Sequence, residues 1–248
     1  MAIITKEEAR VFDWRNPGAL KVGDEITETL KDGRKVVFVV MDDGVIGLKG
    51  LLARHQMNND WTNKGGWLAS DMRRYLNEEV IELLPDDLLA AIKPRKFGDE
   101  EDRLWLFSEV EIFGEHILGA GDEGDNQLEY FKDPFNRIKF NEDGDAGWWW
   151  ERSPCASPSN YFCIVSNSGD ACDYYANGSS GVCFGFYIRA VSKKWIEVVT
   201  MTIKYEADAH ISIQTEIMVP ENATDDDILL AIMLDLMDRY DFMVNVKK

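Results

Sequence analysis

Three short runs of β-branched and aromatic residues, 25–30, 35–40 and 45–48, open the patterned part of the chain. Lys31-Asp32-Gly33 and Asp42-Asp43-Gly44 divide them. An Asp-Gly pair between such runs predicts a hairpin, because glycine accepts the positive φ of a tight turn. A β-meander is therefore expected. The period then changes: Met72, Tyr75, Leu76, Val80, Leu83 and Leu84 recur at helical spacing behind Ser70 as N-cap, with Pro85 as terminator. This predicts a helix over 70–84. A second helix, 86–93, ends before Pro94, which disfavours helical geometry in the residue preceding it. Residues 103–107 read as a strand that feeds a third helix from Ser108, with Glu111 placed for a capping box and Gly114 at its end.

The pattern from 147 to 190 is different. Aromatic and β-branched runs (161–165, 172–175, 182–188) alternate with Ser, Asn, Gly and Pro clusters, which is antiparallel strand chemistry. Beyond Lys194, strands are expected over 198–205 and 210–219, then a helix over 225–240 capped by Thr224, then a strand over 242–246. Asp225, Asp226 and Asp227 fall in that helix's first turn, where negative charge complements the macrodipole. Two domains follow: a main α+β module over 1–194 and a small C-terminal β-β-α-β unit over 195–248. Ile228, Ile232, Leu236 and Met237 form a helical stripe widened by Leu229, Met233 and Tyr240. That stripe packs against its own strands or serves homo-oligomer formation.

Composition narrows the classes. With 27 Lys and Arg against 45 Asp and Glu, the formal charge is −18. Such a chain repels phosphate, so direct nucleic-acid binding is not expected. Its 8 Trp, 8 Tyr and 12 Phe supply enough burial to offset chain entropy, so it is not a disordered acidic chain. No run is long enough for a membrane span. Lys6, Glu7, Glu8 and Arg10 interrupt the start where a signal peptide would carry its apolar segment, so a cytoplasmic protein is expected. Cys155, Cys163, Cys172 and Cys183 have no C-x-x-C spacing, and His55, His116 and His210 are scattered. No metal site is expected, and the thiols are read as buried and free. The acidic runs 119–126 and 141–145 carry oxygen ligands for calcium but not the spacing of a calcium loop, so no cofactor is expected.

The least ordinary stretch is Gly147-Trp-Trp-Trp-Glu-Arg-Ser-Pro154. It resembles a bacterial and phage family of domains of unknown function marked by a W-W-L-R-S-P motif and a downstream G-V-R-P-A motif. Lys21-Val-Gly-Asp24, the segment from Gly66-Trp67 to Leu76-Asn77, Leu104-Trp-Leu-Phe-Ser-Glu109 and Ile188-Arg-Ala-Val191 are similar to other family segments, in order. The likeness covers about residues 20–192. Trp148-Trp149 or Trp149-Trp150 can be the matching pair, and Arg189 lacks the following Pro. The resemblance implies a C-type-lectin-like module of short mixed antiparallel strands with two or three helices, a scaffold shared with phage receptor-binding variable proteins and with formylglycine-generating enzymes. It makes Trp148, Trp149, Arg152, Ser153 and Arg189 structural residues of the motifs and sets binding on loops near the module's end. One fold hosts unrelated functions, so no chemistry is implied.

Residues 166–181 combine Ser, Asn, Gly, Asp and Tyr, the mixture that binding loops favour. Asp173, Tyr174, Tyr175 and Asn177 are the candidate ligand- or partner-binding residues, the competing reading being an ordinary inter-strand turn. Nucleophile-elbow, Walker A, zinc-protease and dinucleotide signatures are lacking, so no enzyme and no catalytic residue is expected. The expected function is a non-catalytic phage- or bacterium-encoded protein that binds a protein or glycan, in the cytoplasm or on a virion. The alternative is an acidic intracellular inhibitor that imitates nucleic acid and blocks a host nucleic-acid-binding protein.

Overall fold

Gly33 and Gly44 adopt φ of 90° and 71°, so the two expected hairpins close where the sequence puts their glycines. They join the strands Glu25–Thr29, Lys35–Asp42 and Val45–Leu48 into an antiparallel meander. The computed structural model describes Trp14, residues 20–120 and 126–188, and the backbone of 193–204 and 210–220. The chain divides into two units, Met1–Ala190 and Val191–Lys248.

In the first unit the meander is extended by the late strand Phe184–Ile188, which pairs with Val45–Leu48 on one side and with Ile92–Lys93 and Trp105–Leu106 on the other. Residues far apart in sequence thus share one antiparallel sheet. Gly47 and Gly185 are cross-strand partners, and a Cβ on either would stand 2.6 Å from the Phe107 ring. Both positions are therefore restricted to glycine by the ring that covers them. Trp14, Phe38, Phe184 and Phe186 pack nearby, with ring centroids 5.2–6.5 Å apart. Edge-to-face aromatic contacts of this kind add to area burial.

A second sheet runs in the order Ala171–Tyr175, Tyr161–Val165, Trp149–Pro154, Ser180–Gly181 and Arg54–His55, antiparallel except where Trp149 meets Gly181. The architecture is mixed α+β, rich in curled antiparallel sheet and poor in helix.

The helix expected over 70–84 is one helical stretch in three geometries: α over Asp71–Arg74, π over Tyr75–Val80 and 3-10 over Ile81–Leu83. The Ser70 side chain caps it by accepting from Arg73 N. The second helix is shorter than expected, Asp86–Ala91, because Ile92 turns extended and pairs with Ile188 ahead of Pro94. The third helix, Glu109–Phe113, has the full capping box between Ser108 and Glu111 and ends on Gly114 at φ 84°. Among the described residues no helix is long and apolar enough to cross a membrane.

In the second unit, Lys193–Lys204 and His210–Pro220 form a long antiparallel pair with a register shift between Ile196 and Val199. The first of these strands starts before the expected 198. The helix over 225–240, its apolar stripe and the strand over 242–246 lie outside the described residues, as do Arg189 and residues 121–125 of the first acidic run. The second acidic run is a turn between Lys139–Phe140 and Ala146–Gly147, closed by Asn141 Oδ1, which accepts from Asp145 N at 2.9 Å.

Candidate functional site

Successive residues of a strand point to opposite faces. Trp149 and Trp150 do so on a strand covered on both faces, and neither has exposed surface. Trp149 Nε1 donates to Arg137 O at 2.9 Å, and its ring lies 6.1 Å from that of Phe131. Trp150 Nε1 donates to His55 O at 2.7 Å. Trp148 is 44% exposed. Of the two candidate pairs, Trp149-Trp150 is the one that is buried, and Trp148 precedes the strand Trp149–Pro154.

Next in the strand, Arg152 Nη1 donates to Leu106 O at 2.9 Å and to Glu111 Oε2 at 2.5 Å, with the guanidinium 5.3 Å from the Phe97 ring centroid. Arg95 Nη1 meets the other Glu111 oxygen at 2.5 Å. Burial pushes the Glu111 carboxyl upward, but the two guanidiniums and the hydrogen bonds from Arg152 and Ser108 outweigh it and hold the group below its ordinary value. Ser153 Oγ accepts from Glu109 N at 2.9 Å, so Arg152 and Ser153 both tie this strand to the helix Glu109–Phe113.

A second acidic group lies beside that clamp. Glu109 has no side-chain exposure, and its two oxygens accept from Ile117 N, Leu118 N and Gly119 N at 2.8–2.9 Å. Glu151 is also fully buried. One donor atom each from Glu109, Glu151 and Cys163 lies within 4.8 Å of the others, and Cys155 Sγ is 3.5 Å from Cys163 Sγ. The Cys163 thiol is pushed far above its ordinary value, first by its hydrogen bond with Cys155 and then by burial. Carboxylate and thiol together are a donor set able to hold a cation.

At the sheet edge, Tyr174 and Tyr175 are 38% and 40% exposed, Asn177 is exposed and Asp173 half-buried. The fold adds two aromatics. Trp61, 61% exposed, has its ring 5.3 Å from Tyr175, and Tyr161, the cross-strand partner of Tyr175, lies 4.5 Å from it. Tyr174 and Tyr175 are 5.8 Å apart, so the four rings form a continuous aromatic surface. The Tyr161 phenol is pushed up to about 12, first by its side-chain hydrogen bond with Tyr175. Asp60, Asn59 and Asn177 are exposed around it. Exposed Trp148 lines a separate cleft of about 390 Å³ with Arg34, Arg54, Leu51, Glu142 and Asp143.

A family model matches residues 35–191, a stretch that contains both buried tryptophans, the clamp, the buried cluster and all four rings of the aromatic surface. The chain belongs to the DUF6273 family, a domain of unknown function. No curated protein and no solved structure matches it.

Within the DUF6273 stretch, sequence reasoning reached Tyr174 and Tyr175 but not Trp61 and Tyr161. Trp61 carried a usable signal: it is a lone aromatic in the polar run Asn58-Asn59-Asp60-Trp61-Thr62-Asn63-Lys64. Tyr161 read as an ordinary strand residue, since only strand register brings it to Tyr175. Cys155 and Cys163 are eight residues apart, and the antiparallel pairing that joins Pro154 to Phe162 is what makes them neighbours.

Proposed function

We propose that the DUF6273 domain of this chain is a non-catalytic binding module that recognises a protein or glycan through Trp61, Tyr161, Tyr174 and Tyr175. The observation that carries this reading is the continuous exposed aromatic surface, three of whose rings are 38–61% exposed and whose rim is polar. Rigid aromatic side chains give large contact area at low entropic cost, and neighbouring Asn and Asp supply directional hydrogen bonds. The surface suits the apolar face of a sugar ring or an aromatic-centred protein contact. A C-type-lectin-like scaffold fits this use, with the sheet that joins early and late strands as the frame and the second sheet and its turns as the binding side. The exposed aromatics lie on that second sheet's edge strand, Ala171–Tyr175, and on residues beside it.

The test is a glycan array and a screen of surface proteins with purified protein, followed by calorimetric titration of any hit. Replacing Trp61, Tyr174 and Tyr175 together with Ala should weaken binding at least about 30-fold, the scale of a lost ~2 kcal/mol hot spot. Affinity should change little over a tenfold rise in ionic strength. Binding that survives the triple variant and collapses in salt would instead favour the acidic nucleic-acid mimic.

A further inference from the structure

Trp148 and the acidic run 141–145 play no part in the aromatic surface, yet both line the same cleft of about 390 Å³. We propose that this cleft binds a free amino acid with a large apolar side chain. Its carboxylate would meet Arg54, its ammonium Glu142 and Asp143, and its side chain Trp148 and Leu51. The site is separate from the aromatic surface and does not depend on that surface's ligand.

The floor is apolar and held by backbone bonds. Leu51 N donates to Phe140 O at 2.9 Å and Gly181 N to Trp148 O at 2.8 Å, which fixes segments far apart in sequence against one another. Leu51 lies against Gly147 and Gly181, and a Cβ on either glycine would stand 2.7 Å from Leu51 Cδ1. The two glycines thus let the leucine lie low and leave the space above it open. Trp148, 44% exposed, adds an aromatic surface. The rim is charged. Arg34 is committed within the fold: Nε donates to Asp32 Oδ2 at 2.8 Å and Nη1 to Leu52 O at 3.1 Å. Arg54, the cross-strand partner of Gly181, donates from Nη2 to Ser179 O at 2.6 Å and pairs with no carboxylate among the described residues. One bond anchors this guanidinium and leaves its other N–H groups for a ligand. Glu142 and Asp143 are exposed in the turn closed by Asn141, and neither has an ion-pair partner among the described residues. The Arg34 guanidinium is raised first by its hydrogen bond with Asp32, and the nearby Glu142 charge adds to the effect without forming an ion pair.

The charges select the ligand class. A simple anion is drawn to Arg54 but repelled by Glu142 and Asp143, and a simple cation meets the reverse. A zwitterion satisfies both signs at once. The planar guanidinium fork matches a carboxylate, and the two acidic side chains accept from an ammonium. A ligand with both charges on one carbon keeps a single side chain for the floor, where Leu51 and Trp148 take an aliphatic or aromatic group out of water. A cleft of a few hundred Å³ with an apolar floor and a few polar groups at its rim is the usual form of a small-molecule site, and this one has room for the largest amino acids.

The experiment is calorimetric titration of the full chain with leucine, methionine, phenylalanine and tryptophan. At least one should bind with a Kd below about 1 mM. The best binder is then compared with its amine, which lacks the carboxylate, and with its deaminated acid, which lacks the ammonium. Each should bind about tenfold more weakly than the amino acid. Arg54→Gln should weaken the amino acid about tenfold and leave the amine unchanged, whereas Glu142→Gln/Asp143→Asn should weaken the amino acid and leave the acid no weaker. Trp148→Ala should weaken all three. These substitutions are at exposed positions, and near-ultraviolet circular dichroism checks that each variant is folded. The variant with Trp61, Tyr174 and Tyr175 all replaced by Ala should bind the amino acid as wild type does. The proposal is overturned if none of the four binds at about 10 mM, or if the amine or the acid binds as tightly as the amino acid. It also fails if folded Arg54→Gln protein weakens the amine as much as the amino acid, or if the aromatic-surface variant loses the binding.

Discussion

Arg152 and Glu111, 41 residues apart, meet as an ion pair with side-chain exposures of 3% and 5%. Arg95 completes the pair from the other side. Breaking a buried pair strands the remaining charge, which costs more than the pair contributes. Glu111→Gln should therefore destabilise the domain by about 3 kcal/mol, read as a lower midpoint in chemical denaturation with an unchanged slope. The pH sign follows from the lowered carboxyl. Its stabilisation is fully present above the ordinary value of 4.5 and is lost as pH falls through the lower folded value. The gap between wild type and Glu111→Gln should close on acidification through that window, and a gap that widens instead would show the carboxylate is not held by the guanidiniums.

The three adjacent tryptophans should separate cleanly by stability. Trp149→Ala and Trp150→Ala each empty a buried site and remove an indole hydrogen bond, so each should cost about 3–5 kcal/mol. Trp148→Ala should cost under about 1 kcal/mol, since nearly half of that side chain is in water. Thermal melts of the three variants decide it, and equal losses would mean Trp148 packs as the other two do.

How much of this was legible in the sequence depended on the range of the interaction. The first hairpins, the capping box at Ser108 and the Ser70 cap are local, and glycine, serine and glutamate at fixed offsets announce them. The second helix ends two residues before its sequence pattern predicts, because Ile92 pairs with Ile188, 96 residues later. At the aromatic surface the two tyrosines stood in a recognisable binding composition, whereas Tyr161 joined through cross-strand register. The same holds for the buried cluster. Scattered Glu and Cys show no ligand spacing, and only the strand pairing places Cys155 beside Cys163. Lys139 was silent for another reason: nothing in the local pattern marks a lysine that folds into the interior.

Lys139 has 1% exposure, donates to Leu48 O at 3.3 Å and lies 5.2 Å and 5.3 Å from the ring centroids of Tyr130 and Phe131. Burial lowers its pKa from 10.5. Between the folded value and 10.5 the unfolded chain binds more protons, so stability rises with pH through that window. Lys139→Met keeps the volume without the charge, and Cys183 Sγ still bonds Leu48 O at 3.3 Å. This variant should be about 1 kcal/mol or more stable than wild type at neutral pH, with the advantage shrinking as pH approaches 10.5. Melting temperatures across that range check it, and a pH-independent difference would show that Lys139 does not titrate differently on folding.

Tyr174 rests on Gly178. A Cβ at Gly178 would stand 2.1 Å from Tyr174 Cε1 and 2.6 Å from Cδ1, so any larger residue displaces the ring. On its other side the ring lies 6.0 Å from Trp150. The backbone there is not otherwise strained, since Gly178 is not among the glycines with positive φ. Gly178→Ala should therefore move the Tyr174 side chain and leave the core in place. The melting temperature should fall by no more than a few degrees, the shift of a ~1 kcal/mol change. Affinity for a ligand found with the aromatic surface should fall as far as it does in Tyr174→Ala. Combining the two substitutions should cost no more than Tyr174→Ala alone, because the glycine acts only through that ring. Additive losses in this double-mutant cycle would place Gly178 in contact with the ligand itself, and unchanged affinity in Gly178→Ala would remove Tyr174 from the binding surface.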